Sequence, residues 1–194
     1  MWSRIALIAA SATPILHCVV LFLSDQNAVT VPISSLSRAD CGELHTLGVV
    51  VFGIAHVALA IDLAGRDTGR LWPYGRLLLA ASGTLLFYVA FYFATASPDR
   101  LQGADANDPL WVVATLIGLA MGALQPGLSR LSRAAGLFSA TCLGLWLWLA
   151  LLAFFVDTGW IGLYERLVGS VYVIWIIGVA AVLNEREPAG RLRS

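Results

Sequence analysis

Lysine is absent from the 194-residue sequence, and only 12% of the residues are charged, whereas 59% are hydrophobic. Soluble domains have about 25% charged residues, so this chain cannot cover a water-exposed surface in the usual way. Its three cysteines do not fall at a metal-binding or redox spacing. Phosphate loops, zinc-protease motifs, nucleophile elbows and a basic surface are missing as well. These absences argue against a soluble globular protein and against a nucleic-acid partner.

Six long apolar runs are what the sequence does contain. They cover residues 5–23, 47–63, 77–95, 110–128, 134–156 and 161–183. A helix needs about 17 to 25 apolar residues to cross roughly 30 Å of hydrocarbon, and each run reaches that length. A transmembrane barrel would show short segments of alternating polarity instead. The sequence therefore predicts an all-α fold, a polytopic bundle of six transmembrane helices that forms one membrane domain over residues 1–194. We expect the first run to be a retained anchor, because it is too long for a signal peptide.

The arginines predict how the bundle is oriented, since cytoplasmic loops retain basic residues and translocated loops avoid them. With the N-terminus inside, most of the 12 arginines fall on the cytoplasmic side, and only Arg38, Arg100 and Arg166 lie outside. The outer segments are rich in Asp and Glu. We therefore predict that both termini are cytoplasmic.

The predicted outer loop 24–46 is long for a connection between helices, and long loops are often functional. It contains Pro32-Ile-Ser-Ser-Leu-Ser37, and the last helix opens with Gly162-Leu-Tyr-Glu-Arg-Leu167. With these segments the chain resembles the bacterial and archaeal membrane family catalogued as domain of unknown function 998. It is also similar, in outline, to eukaryotic membrane proteins that remodel lipid anchors. The first resemblance implies a multi-pass protein of the plasma (inner) membrane of a prokaryote, and the second hints at a lipid-related role.

Charged residues near both ends of the outer loop form the first candidate site. Arg38, Asp40 and Glu43 precede the second helix, while Glu165 and Arg166 open the sixth. Arginine suits a phosphate because its planar donors bind two oxygens at once. Arg38, Glu43, Glu165 and Arg166 are therefore candidate ligand-binding residues. An alternative stays open, in which these charges form a structural ion pair that holds the loop on the bundle.

The histidines are a second candidate set. His45 and His56 share a helical face but lie about 16 Å apart along the axis, which is too far to ligate one ion. From an antiparallel neighbouring helix, His17 can reach the depth of His56, which would permit a bis-histidine haem or a two-ligand site at His17 and His56. A buried histidine with a backbone partner is the alternative for each position. We expect no metal and no cofactor, although an ionisable group at membrane depth is a functional candidate.

Other features predict packing rather than chemistry. Asp62 and Arg66 are four residues apart, so both side chains lie on one helical face near the inner interface. Small residues recur every four positions in the fourth and fifth helices, which lets helices approach closely within one chain, in a homo-oligomer or in a larger complex. Five tryptophans are expected in interface belts or facing lipid: Trp111, Trp146, Trp148, Trp160 and Trp175.

Three functions are left by this reading. The first is a protein that binds or handles a membrane lipid or amphiphile through the outer charged residues. The second is a membrane-embedded enzyme that acts on a lipid or isoprenoid, with Glu43 or Glu165 as acid or base and His45 as a helper. The third is a non-catalytic accessory subunit of a membrane complex. The sequence does not decide whether the protein is an enzyme.

Overall fold

The computed structural model describes residues 1–38, 40–66, 68–95, 108–156 and 158–185, with the side chains of Ser34, Arg38, Asp108, Pro109 and Thr158 left out. Among these residues there is no β-strand. Six helices are long and apolar enough to cross a membrane, which confirms the predicted all-α bundle and supports a multi-pass membrane protein. They are α1 Trp2–Leu23, α2 Gly42–Ala64, α3 Trp72–Thr95, α4 Asp108–Leu131, α5 Arg133–Leu152 and α6 Ile161–Glu185.

The helices differ from the apolar runs mainly at their ends. Both α2 and α3 begin five residues before the predicted start, because hydropathy falls at the first polar residue while the helical backbone continues into the interface. The fourth helix passes through Pro126 and ends at Leu131 instead of residue 128. The fifth ends earlier, at Leu152, and a 3₁₀ turn Ala153–Phe155 follows it.

Consecutive helices are neighbours, and α6 also packs against α1, so the bundle closes into a ring. Contacts near both ends show that neighbouring helices are antiparallel. The start of α1 meets the end of α6, for example, where Arg4 Nε donates to Asn184 Oδ1 at 3.0 Å. The core is formed by large, fully buried side chains of α2, α3, α4 and α6: Leu59, Leu63, Leu79, Ile117, Met121, Leu124, Leu128, Trp175, Ile176 and Leu183.

Asp62 stabilises the end of the bundle that carries the first residues, which we call the termini end. Its Oδ1 accepts a hydrogen bond from the backbone N–H of Ser3 at 3.1 Å, in the first turn of α1. Arg66 Nη2 lies 3.6 Å from Asp62 Oδ2 and donates to the carbonyl of Leu183 at 3.3 Å. A carboxylate at a helix start satisfies an N–H that has no partner within the helix. The spacing of Asp62 and Arg66 placed both side chains on one helical face, and in the structure they also contact each other and join α1, α2 and α6.

The prediction for Trp175 is wrong. Its side chain is fully buried, and its Nε1 donates to Ser139 Oγ of α5 at 2.9 Å. Because hydropathy at helical spacing does not tell which face meets protein and which meets lipid, this tryptophan could not be separated from Trp148 and Trp160, which are exposed. In the small-residue stripe of α4, Gly118 lies against the ring of Trp146 of the same chain, whereas a Cβ at Gly122 would have no neighbour within 4 Å.

Candidate functional site

The connection between α1 and α2 lies at the opposite end of the bundle, the loop end, where it packs on the first turns of α6. It contains a 3₁₀ turn, Ile33–Arg38. The backbone N–H of Leu163 donates to Val29 O at 3.0 Å. Two residues further along α6, Oε2 of Glu165 accepts a hydrogen bond from the N–H of Ile33 at 2.6 Å. We call Leu163, Glu165 and Arg166 the loop anchor, because together they hold the connection through its backbone.

Arg166 completes the anchor with one of its terminal nitrogens. Nη1 donates to the carbonyl of Val31 and to the carbonyl of Gly162, each at 2.8 Å. Both acceptors are backbone oxygens, so the guanidinium joins the first turn of α6 to the loop without using a second charged side chain. This geometry leaves the other edge of the guanidinium for a different partner.

Two glycines allow the loop to come this close. A Cβ at Gly42, the first residue of α2, would collide with the carbonyl of Ser37 in the 3₁₀ turn. A Cβ at Gly162 would collide with the carbonyl of Val31 and crowd that of Ala28. The loop backbone therefore packs directly on the starts of two helices, where only a residue without a side chain fits.

The predicted charged cluster is only partly present. Glu165 and Arg166 both contact the loop, and their described contacts with it are to backbone atoms. Glu43 and Asp40 are exposed, and within the described part of the structure no hydrogen bond or ion pair joins either of them to Glu165 or Arg166. The side chain of Arg38 lies outside the described residues. Glu165 and Arg166 thus do the loop-holding work that the structural alternative assigned to the whole cluster.

A cavity of about 490 Å³ lies between α1 and α6 and reaches the inner faces of α2 and α3. We call it the α1/α6 cavity. Its long wall runs along α6 from Arg166 to Ile177, and the opposite wall includes His17 and Cys18 of α1. The remaining lining is almost entirely apolar: Pro14, Leu21, Ile33, Val49, Phe52, Leu86, Val173 and Ile174. The cavity is therefore polar at its loop end and apolar along the rest of its length.

The polar end of the cavity carries donors that no described group uses. Nε and Nη2 of Arg166 are buried and have no hydrogen-bond partner among the described residues, and the same holds for Nε2 of His17. Buried polar groups are almost always paired, so an unpaired set that lines a cavity is a ligand-site signal. Nε and Nη2 form one edge of the guanidinium, the arrangement that binds two oxygens of a carboxylate or phosphate.

His17 contacts His45, with ring centroids 4.7 Å apart and the rings edge to face. The expectation that His17 approaches His56 is therefore wrong. Since α1 and α2 are antiparallel, the end of α1 meets the start of α2, where His45 lies, whereas His56 is three turns deeper. His56 instead bonds within its own helix, with Nδ1 2.8 Å from Phe52 O. A bis-histidine cofactor site at His17 and His56 does not fit this arrangement.

His45 itself is fully buried, and neither of its ring nitrogens has a partner in the described part of the chain. Two histidines alone hold a metal ion weakly, and the described residues contain no group of three His, Cys, Asp or Glu that could hold one. Arg166 lines the cavity beside His17, and its positive charge favours an anion over a cation at this end. The polar end is therefore better suited to an anionic group than to a metal ion.

Sequence reasoning found Arg166 but missed the apolar residues that give the cavity its length. Val49, Phe52, Leu86 and Ile177 lie on three different helices, and nothing in a single helix marks them as cavity residues rather than core. His17 carried the one available signal, an ionisable group in an apolar run. Neither a scan against protein-family models nor searches of curated proteins and of solved structures gave a match for this chain.

Proposed function

We propose that this multi-pass membrane protein binds an anionic amphiphile of the membrane in the α1/α6 cavity, with the anionic group at Arg166 and the apolar tail along α6. The observation that carries the proposal is the buried, unpartnered Nε and Nη2 edge of Arg166 at the polar end of an otherwise apolar cavity. If the termini are cytoplasmic, as the arginines predict, the amphiphile is drawn from the outer leaflet.

The headgroup chemistry follows from the donors. An arginine edge recognises carboxylate and phosphate oxygens in pairs, and a buried charge of this kind is stabilised when an opposite charge is bound. His17 Nε2, which lines the same end, is placed to supply a further contact to the anion. An uncharged headgroup would offer no opposite charge to the buried guanidinium edge.

The tail chemistry follows from length and volume. From Arg166 to Ile177 the cavity follows eleven residues of helix, which is about 16 Å. This is roughly half of the 30 Å hydrocarbon thickness, so the cavity has the depth of one leaflet. Its volume of about 490 Å³ lies at the small end of the range of roughly 300–1,000 Å³ for pockets that hold a drug-sized molecule. A single apolar chain fits that space better than a lipid with two chains.

Thermal unfolding of the full chain in an uncharged maltoside detergent tests the proposal. We expect oleate and lysophosphatidylglycerol, which are anionic and have one chain, to raise the melting temperature, because a ligand that binds only the folded state stabilises it. Monooleoylglycerol has a similar chain and no charge, and we expect a much smaller shift. An equal shift with monooleoylglycerol contradicts the role given to Arg166.

A blocking variant tests the location without disturbing the loop anchor. Ser170 of α6 lines the cavity and is exposed, so Ser170→Trp places an indole in the cavity mouth. Thr141→Trp is the matched control, because Thr141 is also a small exposed hydroxyl residue but lies on α5, away from the cavity. We expect the oleate shift to vanish in Ser170→Trp and to persist in Thr141→Trp. If Ser170→Trp retains the full oleate shift, the ligand binds at another site.

A further inference from the structure

A second, smaller pocket lies on the other side of Glu165, between α4 and α6. Its volume is about 100 Å³, and we call it the α4/α6 pocket. Adjacent residues on a helix point about 100° apart, which is why Arg166 lines the α1/α6 cavity while Glu165 lines this pocket. The remaining lining consists of aromatic and apolar side chains: Ile33, Leu110, Trp111, Ala114, Tyr164, Val168 and Tyr172.

The aromatic walls are fixed in place by hydrogen bonds. Tyr164 OH donates to the carbonyl of Leu149 at 3.0 Å, and Tyr172 OH donates to the carbonyl of Ala114 at 2.8 Å. The ring centroids of Trp111 and Tyr164 are 6.1 Å apart, with the ring planes 30° from parallel. Because both hydroxyl hydrogens are donated to backbone carbonyls, neither is free to donate to a ligand, and the rings contribute aromatic surface to the lining.

Glu165 supplies the one charge in the pocket, and no basic residue is among the described lining residues. Its carboxylate accepts a single hydrogen bond within the described structure, from Ile33 N–H to Oε2. No described ion pair includes it. A carboxylate in a helix that spans the membrane is costly without an opposite charge. Arg166, the next residue, attracts this carboxylate electrostatically but makes no described ion pair with it, so the pocket combines a carboxylate with aromatic faces.

We propose that the α4/α6 pocket binds a small organic ammonium group, held by the carboxylate of Glu165 and the ring faces of Trp111, Tyr164 and Tyr172. Aromatic faces attract cations through the ring quadrupole, and quaternary ammonium groups are recognised by cages of this composition. The volume of the pocket is about 100 Å³, against about 490 Å³ for the α1/α6 cavity. That space accepts an ammonium group with a few methyl groups, and it excludes an acyl chain. This proposal does not rest on the anionic-amphiphile proposal, because the two sites have separate polar walls.

Isothermal titration calorimetry on the full chain in maltoside detergent tests the charge requirement. The probes are tetramethylammonium, choline and dimethylbutanol, the uncharged carbon isostere of choline. We expect choline to bind at least about tenfold more tightly than dimethylbutanol, because both carboxylate and rings respond to the positive charge. Equal binding of choline and its isostere overturns the proposal, since the pocket would then be a purely apolar void.

Two variants test the residues. Glu165→Gln keeps an acceptor for Ile33 N–H, so the loop stays held while the charge is removed. Trp111→Leu removes one ring at a position that is 40% exposed, and Trp148→Leu is its control, an exposed tryptophan of α5 outside the pocket. We expect about tenfold or greater loss of tetramethylammonium affinity in Glu165→Gln and in Trp111→Leu, and no change in Trp148→Leu. Affinity unchanged in both pocket variants overturns the proposal.

The ammonium group has two sources, a soluble amine or the headgroup of a membrane lipid. Titration of tetramethylammonium into two nanodiscs with the same fraction of phosphatidylglycerol distinguishes them, with the remaining lipid phosphatidylethanolamine in one and an uncharged galactolipid in the other, so that the surface charge is matched. If a lipid headgroup occupies the pocket, phosphatidylethanolamine competes and weakens the apparent affinity relative to the galactolipid. If the ligand is soluble, the affinity is the same in both. An absence of tetramethylammonium binding in detergent and in both nanodiscs overturns the proposal.

Discussion

Removal of the Glu165 side chain is expected to release the long loop from α6. In Glu165→Ala, the N–H of Ile33 loses an acceptor at 2.6 Å. A hydrogen bond to a charged group contributes about 1.5–3 kcal/mol. Since about 1.4 kcal/mol corresponds to a factor of ten, local opening of the loop should become roughly ten- to a hundredfold more frequent.

Hydrogen–deuterium exchange by mass spectrometry measures this opening, in the peptide that spans residues 28–38. Glu165→Gln is expected to show a smaller increase, because a neutral acceptor retains a bond of about 0.5–1.5 kcal/mol. Glu43→Ala is the matched control, since Glu43 is a carboxylate at the same end of the bundle and is exposed. Unchanged exchange in Glu165→Ala, or an equal increase in Glu43→Ala, would refute the loop anchor.

Three further outcomes are expected. His45→Phe should leave the melting temperature of the ligand-free protein unchanged or raise it, because it removes a buried ring with two unpartnered nitrogens. Each unsatisfied buried group destabilises the folded state by about 1–3 kcal/mol. A clear decrease in the melting temperature would mean that His45 has a partner. Trp175→Phe leaves the hydroxyl of Ser139 without its donor and should lower the free energy of unfolding by about 1–3 kcal/mol. Trp148→Phe should not lower it, and equal effects of the two variants would contradict the assignment of Trp175 to the core. Cys41 is exposed at the loop end, so on intact cells a membrane-impermeant maleimide should label it if both termini are cytoplasmic; labelling only after the cells are broken would reverse the predicted orientation.

The candidate site was only partly predictable, and the loop anchor shows why. Glu165 and Arg166 were singled out because charged residues are conspicuous beside apolar runs. Their partners, however, are the backbone N–H of Ile33 and the backbone carbonyls of Val31 and Gly162. Every residue has such groups, so no side-chain pattern marks which of them will be used. A prediction based on charge pairing therefore extended the cluster to Glu43, which is exposed.

The contacts of the histidines were also only partly predictable from the sequence. Their depth along a single helix follows from the rise per residue, and the separation of His45 and His56 was estimated in that way. Which of them His17 meets depends on how far α1 is shifted along α2. That shift is set by side-chain packing over the whole length of both helices, and the result is the pair His17 and His45.

The sequence by itself determined that there are six helices and approximately where they lie. A chain in hydrocarbon must satisfy its backbone hydrogen bonds locally, and a helix must be about 20 apolar residues long to cross the membrane. Only the tertiary structure decided which polar groups meet and where space is left. The α1/α6 cavity is lined by residues of four helices and the loop, and the α4/α6 pocket by residues of two helices and the loop. Such voids depend on how helices are arranged around a ring, and because lipid and protein interiors are equally apolar, hydropathy does not distinguish the faces that line them.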